Sequence, residues 1–183
     1  MKLNAKEILK PTLVLFLICL LTTLALAGTN LLTKDQIAHQ EQLAEEASRQ
    51  VVLPQAKTFE EADGYYIGKT DGGEPAGYIF VTEAKGYGGT IKVMTGISAS
   101  GSVTGVTILS HSETVGLGAN VEKEPFRVQY NQAVPSDGFT VLKSTAAGEG
   151  QISAVTGATI SSNAVTKAVN EAVTLYQEIQ GGE

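Results

Sequence analysis

The chain has 183 residues, one cysteine and a formal net charge of −6 at pH 7. A single cysteine excludes an internal disulfide, and it also excludes a thiolate set that would hold an iron–sulfur cluster on this chain alone. The acidic balance argues against a nucleic-acid partner, because binding to phosphate backbones depends on basic side chains.

An uncharged apolar segment lies near the N-terminus. Residues 12–32 contain no charged side chain and are rich in leucine. A helix of about 20 such residues is long enough to cross about 30 Å of hydrocarbon. Three lysines and one acid precede it, and the positive-inside rule therefore predicts a cytoplasmic N-terminal segment, 1–11, with the rest of the chain exported. We predict a single-pass anchor of the cell (inner) membrane.

The alternative for this segment is a cleaved secretory signal. Ala25-Leu26-Ala27 resembles a signal peptidase site. The apolar run is longer than the roughly 7 to 15 residues of a signal core, which favours the uncleaved anchor. After it, residues 33–53 are polar and charged, and they predict a helical connector that ends before Pro54. The pattern leaves open whether this helix continues the anchor.

The pattern then changes to that of a small α+β domain over residues 54–183. Strands are predicted where β-branched and aromatic residues concentrate, at 65–69, 78–83, 91–97 and 103–109. Turns are indicated by Asp71-Gly72-Gly73 and by residues 98–102. A short helix at 121–132, a strand at 139–143 and a closing helix at 160–179 complete the prediction. The expected fold is one small antiparallel sheet covered by helices, behind the N-terminal transmembrane helix.

The run from Ser153 to Ser162 marks the start of the closing helix. After it, apolar residues recur at three- and four-residue steps, which places them on one buried helical stripe: Val165, Ala168, Val169, Ala172, Val173 and Tyr176. The first N–H groups of a helix lack internal partners and lie at the positive end of its dipole, so this start would stabilise an anion such as a phosphate. Ser and Thr are also favoured as plain helix caps, and the residues alone leave that alternative open.

Within this run, Thr156-Gly157-Ala158-Thr159-Ile160-Ser161 resembles a family signature, Ser/Thr-Gly-Ala-Thr-x-Ser/Thr. It belongs to the FMN-binding domains of the G subunit of Rnf-type electron transport complexes and of the C subunit of sodium-pumping NADH:quinone reductases. The resemblance implies FMN bound covalently through its phosphate to Thr159. It also implies cofactor-binding roles for Thr156, Gly157, Ala158 and Ser161. The position three residues before the signature is usually acidic in these families and is Ser153 here.

A second segment, Glu113-Thr114-Val115-Gly116-Leu117-Gly118, resembles the Glu-Thr-Pro-Gly-Leu-Gly loop of the same families, with valine in place of proline. Without the resemblance, it is a strand end that runs into a glycine-bounded turn. The resemblance implies that the loop lies against the flavin. Glu113, Thr114, Leu117 and Gly118 would belong to the cofactor pocket, with Leu117 supplying an apolar contact.

Gly86-Tyr87-Gly88-Gly89 resembles the start of a strand in the same families, so the resemblance covers roughly residues 75 to 178. Tyr87 would stack on a flavin or be an ordinary aromatic at a strand end, and the sequence leaves both open. The chain has two histidines, His39 and His111, far apart in sequence. No metal site is predicted from them, and His111 is expected to form hydrogen bonds within its loop.

The resemblance implies an electron-carrying subunit of a membrane-bound, ion-translocating electron transport complex of the ferredoxin:NAD type. Such a subunit is the redox part of an oxidoreductase and has no catalytic residues of its own. Its partners would be other membrane subunits of the complex and, during maturation, a flavin transferase. The alternatives are the C subunit of a sodium-pumping NADH:quinone reductase, a free-standing extracytoplasmic flavin carrier, and a membrane-anchored scaffold in which the Thr-Gly-Ala-Thr run only caps a helix.

Overall fold

In the computed structural model of the chain, residues 5–143 and 148–181 are described. Residues 1–4 of the predicted cytoplasmic segment lie outside the described residues, as do residues 144–147 and 182–183 of the predicted exported domain. The chain divides into two compact units after Leu43, so the end of the predicted connector belongs with the folded domain.

The first unit consists of most of one long helix, α1 (Ala5–Val52). All described side chains of α1 from Ile8 to Leu43 are exposed, including a dense set of leucines. The helix is long and apolar enough to cross a membrane. Helix α1 includes the predicted anchor and all but the last residue of the predicted connector. It ends at Val52, two residues before Pro54, which cannot continue a helix.

The second unit contains a five-stranded antiparallel sheet whose strands follow one another in chain order. They are β1 (Thr58–Ala62), β2 (Tyr65–Lys69), β3 (Pro75–Lys85), β4 (Thr90–Ser98) and β5 (Val103–Ser110). The last four confirm the predicted strands. Strand β1 was not predicted, because it is an edge strand with only two half-buried side chains and no clear apolar alternation.

The segment after the sheet is less regular than predicted. In place of one helix over 121–132 there is a 3-10 turn (Gly118–Glu122), a short helix α2 (Glu124–Arg127) and a second 3-10 turn (Val128–Tyr130). Lys123 has an extended backbone between the first two, and Pro125 lies in the first turn of α2, where its missing N–H removes no helical hydrogen bond. The prediction of one continuous helix was therefore wrong.

The C-terminal part adds a second, two-stranded sheet. Strand β6 (Thr140–Leu142) confirms the predicted strand at 139–143 and pairs in parallel with β7 (Gln151–Ser153), which was not predicted. The chain then forms the closing helix α3 (Thr159–Gly181), close to its predicted bounds. An antiparallel sheet with helices behind one apolar N-terminal helix is thus confirmed as the architecture.

The sheet is covered on both faces. Helix α3 packs on β3 and β4, and its predicted apolar stripe is buried in full together with sheet residues that include Phe80, Ile91, Val93 and Ile97. On the opposite face, Val52, the last residue of α1, and Leu53 directly after it pack with Ile79 and Met94. The N-terminal end of α3 lies near the turn between β3 and β4, and Glu113 bonds to both segments.

One buried polar side chain in this core predicts a stabilising substitution. Thr95 of β4 is fully buried, and its hydroxyl has no hydrogen-bond partner among residues 5–143 and 148–181. An unpaired buried hydroxyl costs about 1–3 kcal/mol, and valine has nearly the same shape. We expect Thr95→Val to raise the free energy of unfolding of the detergent-solubilised chain, measured in urea, by about 1 kcal/mol.

The matched control is Thr82→Val on the neighbouring strand. The Thr82 side chain is also buried, but its hydroxyl donates to the Ala168 carbonyl at 2.8 Å. Its replacement should lower the free energy of unfolding, because the Ala168 carbonyl loses that hydrogen bond. A stabilisation of the same size in both variants would contradict the assignment of an unpaired hydroxyl to Thr95.

Candidate functional site

Three segments that are distant in sequence meet around one cleft of about 440 Å³. They are the turn between β3 and β4 (residues 86–89), the loop at 113–118 and the start of α3 (residues 157–161). The cleft is lined by Tyr87, Glu113, Thr114, Leu117, Gly118, Gly157, Ala158, Thr159, Ile160 and Ser161. Its volume lies within the range of about 300–1,000 Å³ that is typical of sites for small molecules and cofactors.

Eight of the nine residues that the sequence predicted for a site line this cleft. The ninth, Thr156, is exposed and is not part of the lining. Two further residues, Tyr87 and Ile160, belong to the lining although the sequence did not assign them to a site. The Gly-Tyr-Gly-Gly run was the signal that pointed to Tyr87. The structure brings the predicted residues together, and their binding roles stay predictions.

The start of α3 leaves the Thr159 hydroxyl available. Thr159 is the first residue of the helix, and its side chain forms no hydrogen bond within the described part of the chain. The Ser162 hydroxyl, by contrast, is used within the protein, since it accepts from the Val155 N–H at 3.0 Å and donates to the Ala158 carbonyl at 2.9 Å. A free hydroxyl beside the unpaired first N–H groups of a helix suits a phosphate group.

The backbone just before α3 depends on glycine. Gly157 has a φ of 77°, in the left-handed region where a side chain is strained. A Cβ at this position would lie 3.4 Å from Cδ2 of Leu117, an ordinary contact distance, so the backbone conformation is the reason for glycine. Gly157 therefore permits the backbone turn that leads into the helix.

Glu113 is the buried charged residue of the site, with 6 % of its surface exposed. Its Oε2 accepts a hydrogen bond from the Ser161 hydroxyl at 2.5 Å, and its Oε1 accepts one from the Gly88 N–H at 2.9 Å. Burial raises the pKa of Glu113, but the hydrogen bonds from Ser161 and from the backbone of Gly88 and Tyr87 outweigh burial and lower it below its ordinary value. The carboxyl group is therefore ionised at neutral pH.

His111 does not line the cleft, but it forms a hydrogen bond with the backbone of Glu113. Its Nδ1 accepts the backbone N–H of Glu113 at 3.0 Å, and its Nε2 lies 2.9 Å from Oε1 of Glu122. This pattern places the ring proton on Nε2. The prediction that His111 forms hydrogen bonds within its loop is confirmed.

The rim of the cleft is apolar and aromatic. Tyr87 is 74 % exposed and Leu117 is 50 % exposed, and Ile160 lies beside them at the start of α3. Exposed aromatic and aliphatic side chains around a cleft favour a flat, largely apolar ligand. Because a helix start is electrostatically suited to an anion, the cleft fits a ligand that joins an aromatic ring system to a phosphate.

Comparisons with known proteins point to the same ligand class. Residues 86–174 match the family model of the FMN-binding domain, and residues 1–52 match that of the RnfG N-terminal region. The G subunit of the Na⁺-translocating ferredoxin:NAD⁺ oxidoreductase complex of Acetobacterium woodii is 34 % identical over 200 residues, which cover 97 % of this chain and 96 % of that protein. The G subunit of the proton-translocating ferredoxin:NAD⁺ oxidoreductase complex of Clostridium ljungdahlii is 33 % identical over 167 residues, 90 % of this chain and 89 % of that protein.

The chain belongs to the family of G subunits of ion-translocating oxidoreductase complexes. In this member of the G subunit family, α1 is the one helix of the described residues that is long and apolar enough to cross a membrane. The crystal structure of the C subunit of Na⁺-translocating NADH-quinone reductase from Parabacteroides distasonis has the same fold as its domain, with a TM-score of 0.52 and 22 % identity over 62 % of this chain. The match spans 60 % of the length of that protein, and at this identity it shows a similarity of fold alone.

The lowered pKa of Glu113 predicts how the stability of this G subunit depends on pH. Its folded pKa lies below the ordinary value of 4.5, so the carboxylate stabilises the fold fully above about pH 4.5, and this stabilisation is lost as pH falls through the folded pKa. In Glu113→Gln, the amide side chain does not titrate between about pH 2 and pH 7. We expect its deficit in free energy of unfolding relative to wild type to be constant near neutral pH and to shrink below pH 4.5. A deficit that stays constant down to about pH 2 in urea titrations would contradict an ionised Glu113.

Proposed function

We propose that this chain is the electron-carrying subunit of a membrane-bound, ion-translocating electron transport complex of the ferredoxin:NAD type. FMN would be tethered to Thr159 by a phosphoester bond. The observation that carries the proposal is the Thr159 hydroxyl, which is unpaired among the described residues at the first position of α3 and belongs to a cleft lined by both motif segments. The match to the FMN-binding domain and the functions named for the relatives support it.

The residues of the cleft fit FMN in separate ways. The N–H groups at the start of α3 suit its phosphate, because they lack helical partners and lie at the positive end of the helix dipole. Gly157 and Ala158 leave room for the phosphate to approach the backbone. Leu117 and Tyr87 offer apolar and aromatic surface to the flavin ring. When bound, FMN supplies the capacity to take up and release electrons.

A phosphoester at Thr159 requires an activated flavin. Joining free FMN to an alcohol would release water, which is unfavourable in aqueous solution, whereas a flavin adenine dinucleotide carries a phosphoanhydride that can be broken. The Thr159 oxygen would form a bond to the flavin-side phosphorus, the bond from that phosphorus to the adenylate would break, and the hydroxyl proton would be released as AMP leaves with the bonding electron pair. A flavin transferase would catalyse this step, and the flavin ring would stay unmodified.

The apolar N-terminal segment and the basic residues before it predict the orientation of the chain in the membrane. The basic side chains before the apolar segment favour a cytoplasmic N-terminus, so the domain would lie on the outer side of the membrane. There the flavin would relay electrons between redox centres in other membrane subunits of the complex. The apolar segment 12–32 carries no charged residue, so an ion pathway would be formed by those other subunits.

The test is the intact mass of the full chain isolated from its native membrane, with peptide mapping of the modified segment. A gain of about 438 Da, the mass of FMN minus water, is expected on the peptide that contains Thr159. Flavin fluorescence should remain with the protein band after denaturation. An unmodified mass would overturn the tethered-carrier proposal and would favour a membrane-anchored scaffold.

A further inference from the structure

The two motif segments of the cleft are joined by one short hydrogen bond. The Ser161 hydroxyl, in the first turn of α3, donates to Oε2 of Glu113 at 2.5 Å across 48 positions of sequence. Both residues are buried. The Ser161 hydroxyl is therefore used inside the protein, as a tie between the loop and the helix, and its proton is not available to a ligand in the cleft.

The other oxygen of the same carboxylate holds the third segment. The Gly88 N–H donates to Oε1 of Glu113 at 2.9 Å, and Gly88 follows Tyr87 in the turn between β3 and β4. One buried carboxylate thus links all three walls of the cleft. A charged acceptor forms stronger hydrogen bonds than a neutral one, particularly in a buried site.

The surroundings of the carboxylate are closely fitted. A Cβ on Gly86 or on Gly118 would overlap an oxygen of Glu113. Glycine at both positions therefore leaves the space that the carboxylate occupies. On the helix side, Ser161 lies two residues after Thr159 in the same turn. The hydrogen bond to Ser161 therefore links the Glu113 carboxylate to the turn that carries the Thr159 hydroxyl.

We infer that Glu113 is a positioning residue for the attachment of the flavin phosphate, acting through Ser161 to hold the Thr159 hydroxyl in place at the wall of the cleft. The inference rests on the proposed function of Thr159. Misplacement of a reacting group by about 1 Å is enough to reduce a rate by about a hundredfold. Loss of the one hydrogen bond between Glu113 and Ser161 should therefore have a measurable effect.

The experiment uses the full-length chain in membranes with a flavin transferase and flavin adenine dinucleotide, and it measures the initial rate of FMN attachment by intact mass. Ser161→Ala and Glu113→Ala are each expected to lower this rate by about tenfold or more, and the double variant should be no slower than the slower single variant, because both remove the same tie. Ser161→Thr retains a hydroxyl and should restore attachment to near the wild-type rate.

Thr166→Val is the matched control for a general loss of stability. Thr166 lies on the same helix and does not line the cleft, and its buried hydroxyl bonds to the Tyr130 hydroxyl at 2.6 Å and donates to the Ser162 carbonyl at 3.0 Å. This variant should lose thermal stability but retain the rate of attachment. Wild-type rates in Ser161→Ala, or equal losses in Ser161→Thr and Ser161→Ala, would overturn the inference while leaving the tethered flavin in place. A wild-type chain that acquires no flavin would instead overturn the proposed function, and the positioning role with it.

Discussion

Replacing Thr159 by alanine is expected to remove all flavin that stays with the protein after denaturation. At the start of α3, the Thr159 hydroxyl has no hydrogen-bond partner among the described residues, whereas that of Ser161 is bonded to Glu113. Alanine removes the only atom through which a phosphoester can form at this position. The fold should persist, because alanine is a good helix former and Thr159 is only partly buried. Intact mass and in-gel fluorescence of the variant, co-expressed with a flavin transferase, would measure the effect.

Two further substitutions separate the hydroxyl from other effects at α3. Thr159→Ser keeps a hydroxyl at the first helical position and should therefore retain covalent flavin. Thr174→Ala removes an exposed threonine of the same helix whose hydroxyl donates to the Asn170 carbonyl of the preceding turn, and it should leave the flavin content unchanged. Covalent flavin in Thr159→Ala would move the attachment to another hydroxyl, and peptide mapping would show whether that is Thr156.

The sequence was sufficient to place the start of α3 and most of the cleft. The apolar stripe after Ser162 repeats with the period of a helix, and all of its predicted positions are buried in the structure. The loop at 113–118 was assigned to the same site only because it resembles a loop of known flavin-binding families. Local pattern alone describes that loop as a turn, since nothing in it indicates which other segment it contacts.

The links inside the site were beyond prediction for a physical reason. The Glu113–Ser161 hydrogen bond joins residues 48 positions apart, and no periodicity or capping rule relates such residues. The resemblance suggested that Glu113 makes a polar contact in the pocket, whereas in the structure both of its oxygens are bonded to the protein itself. Strands β1 and β7 were not predicted for a similar reason. A charged edge strand and a three-residue parallel strand show almost no apolar periodicity in the sequence.

Gly118→Ala is expected to lower both the stability of the fold and the rate of FMN attachment. A Cβ at Gly118 would overlap Oε2 of Glu113 and would lie 2.8 Å from the Ser161 hydroxyl oxygen. Both neighbours are buried, so relief requires the carboxylate to move away from the start of α3. Overpacking of this kind typically costs about 1–3 kcal/mol. We expect a loss of this size in the free energy of unfolding, measured in urea, and a reduction in the rate of attachment of about tenfold or more, the factor that about 1.4 kcal/mol of lost transition-state stabilisation would produce.

Gly72→Ala is the matched control for this change. Gly72 lies in an exposed turn, and the nearest atom to its added Cβ would be the Thr70 hydroxyl oxygen at 3.8 Å, an ordinary contact distance. Its free energy of unfolding should stay within about 0.5 kcal/mol of wild type, as for most surface substitutions. If Gly118→Ala loses stability but attaches FMN at the wild-type rate, the carboxylate has another way to hold the helix. If the Glu113 carboxylate holds the three segments of the cleft together, Gly118→Ala should lose both stability and rate of FMN attachment. The added methyl group would displace the carboxylate, and this displacement would disturb the buried packing and the attachment site together.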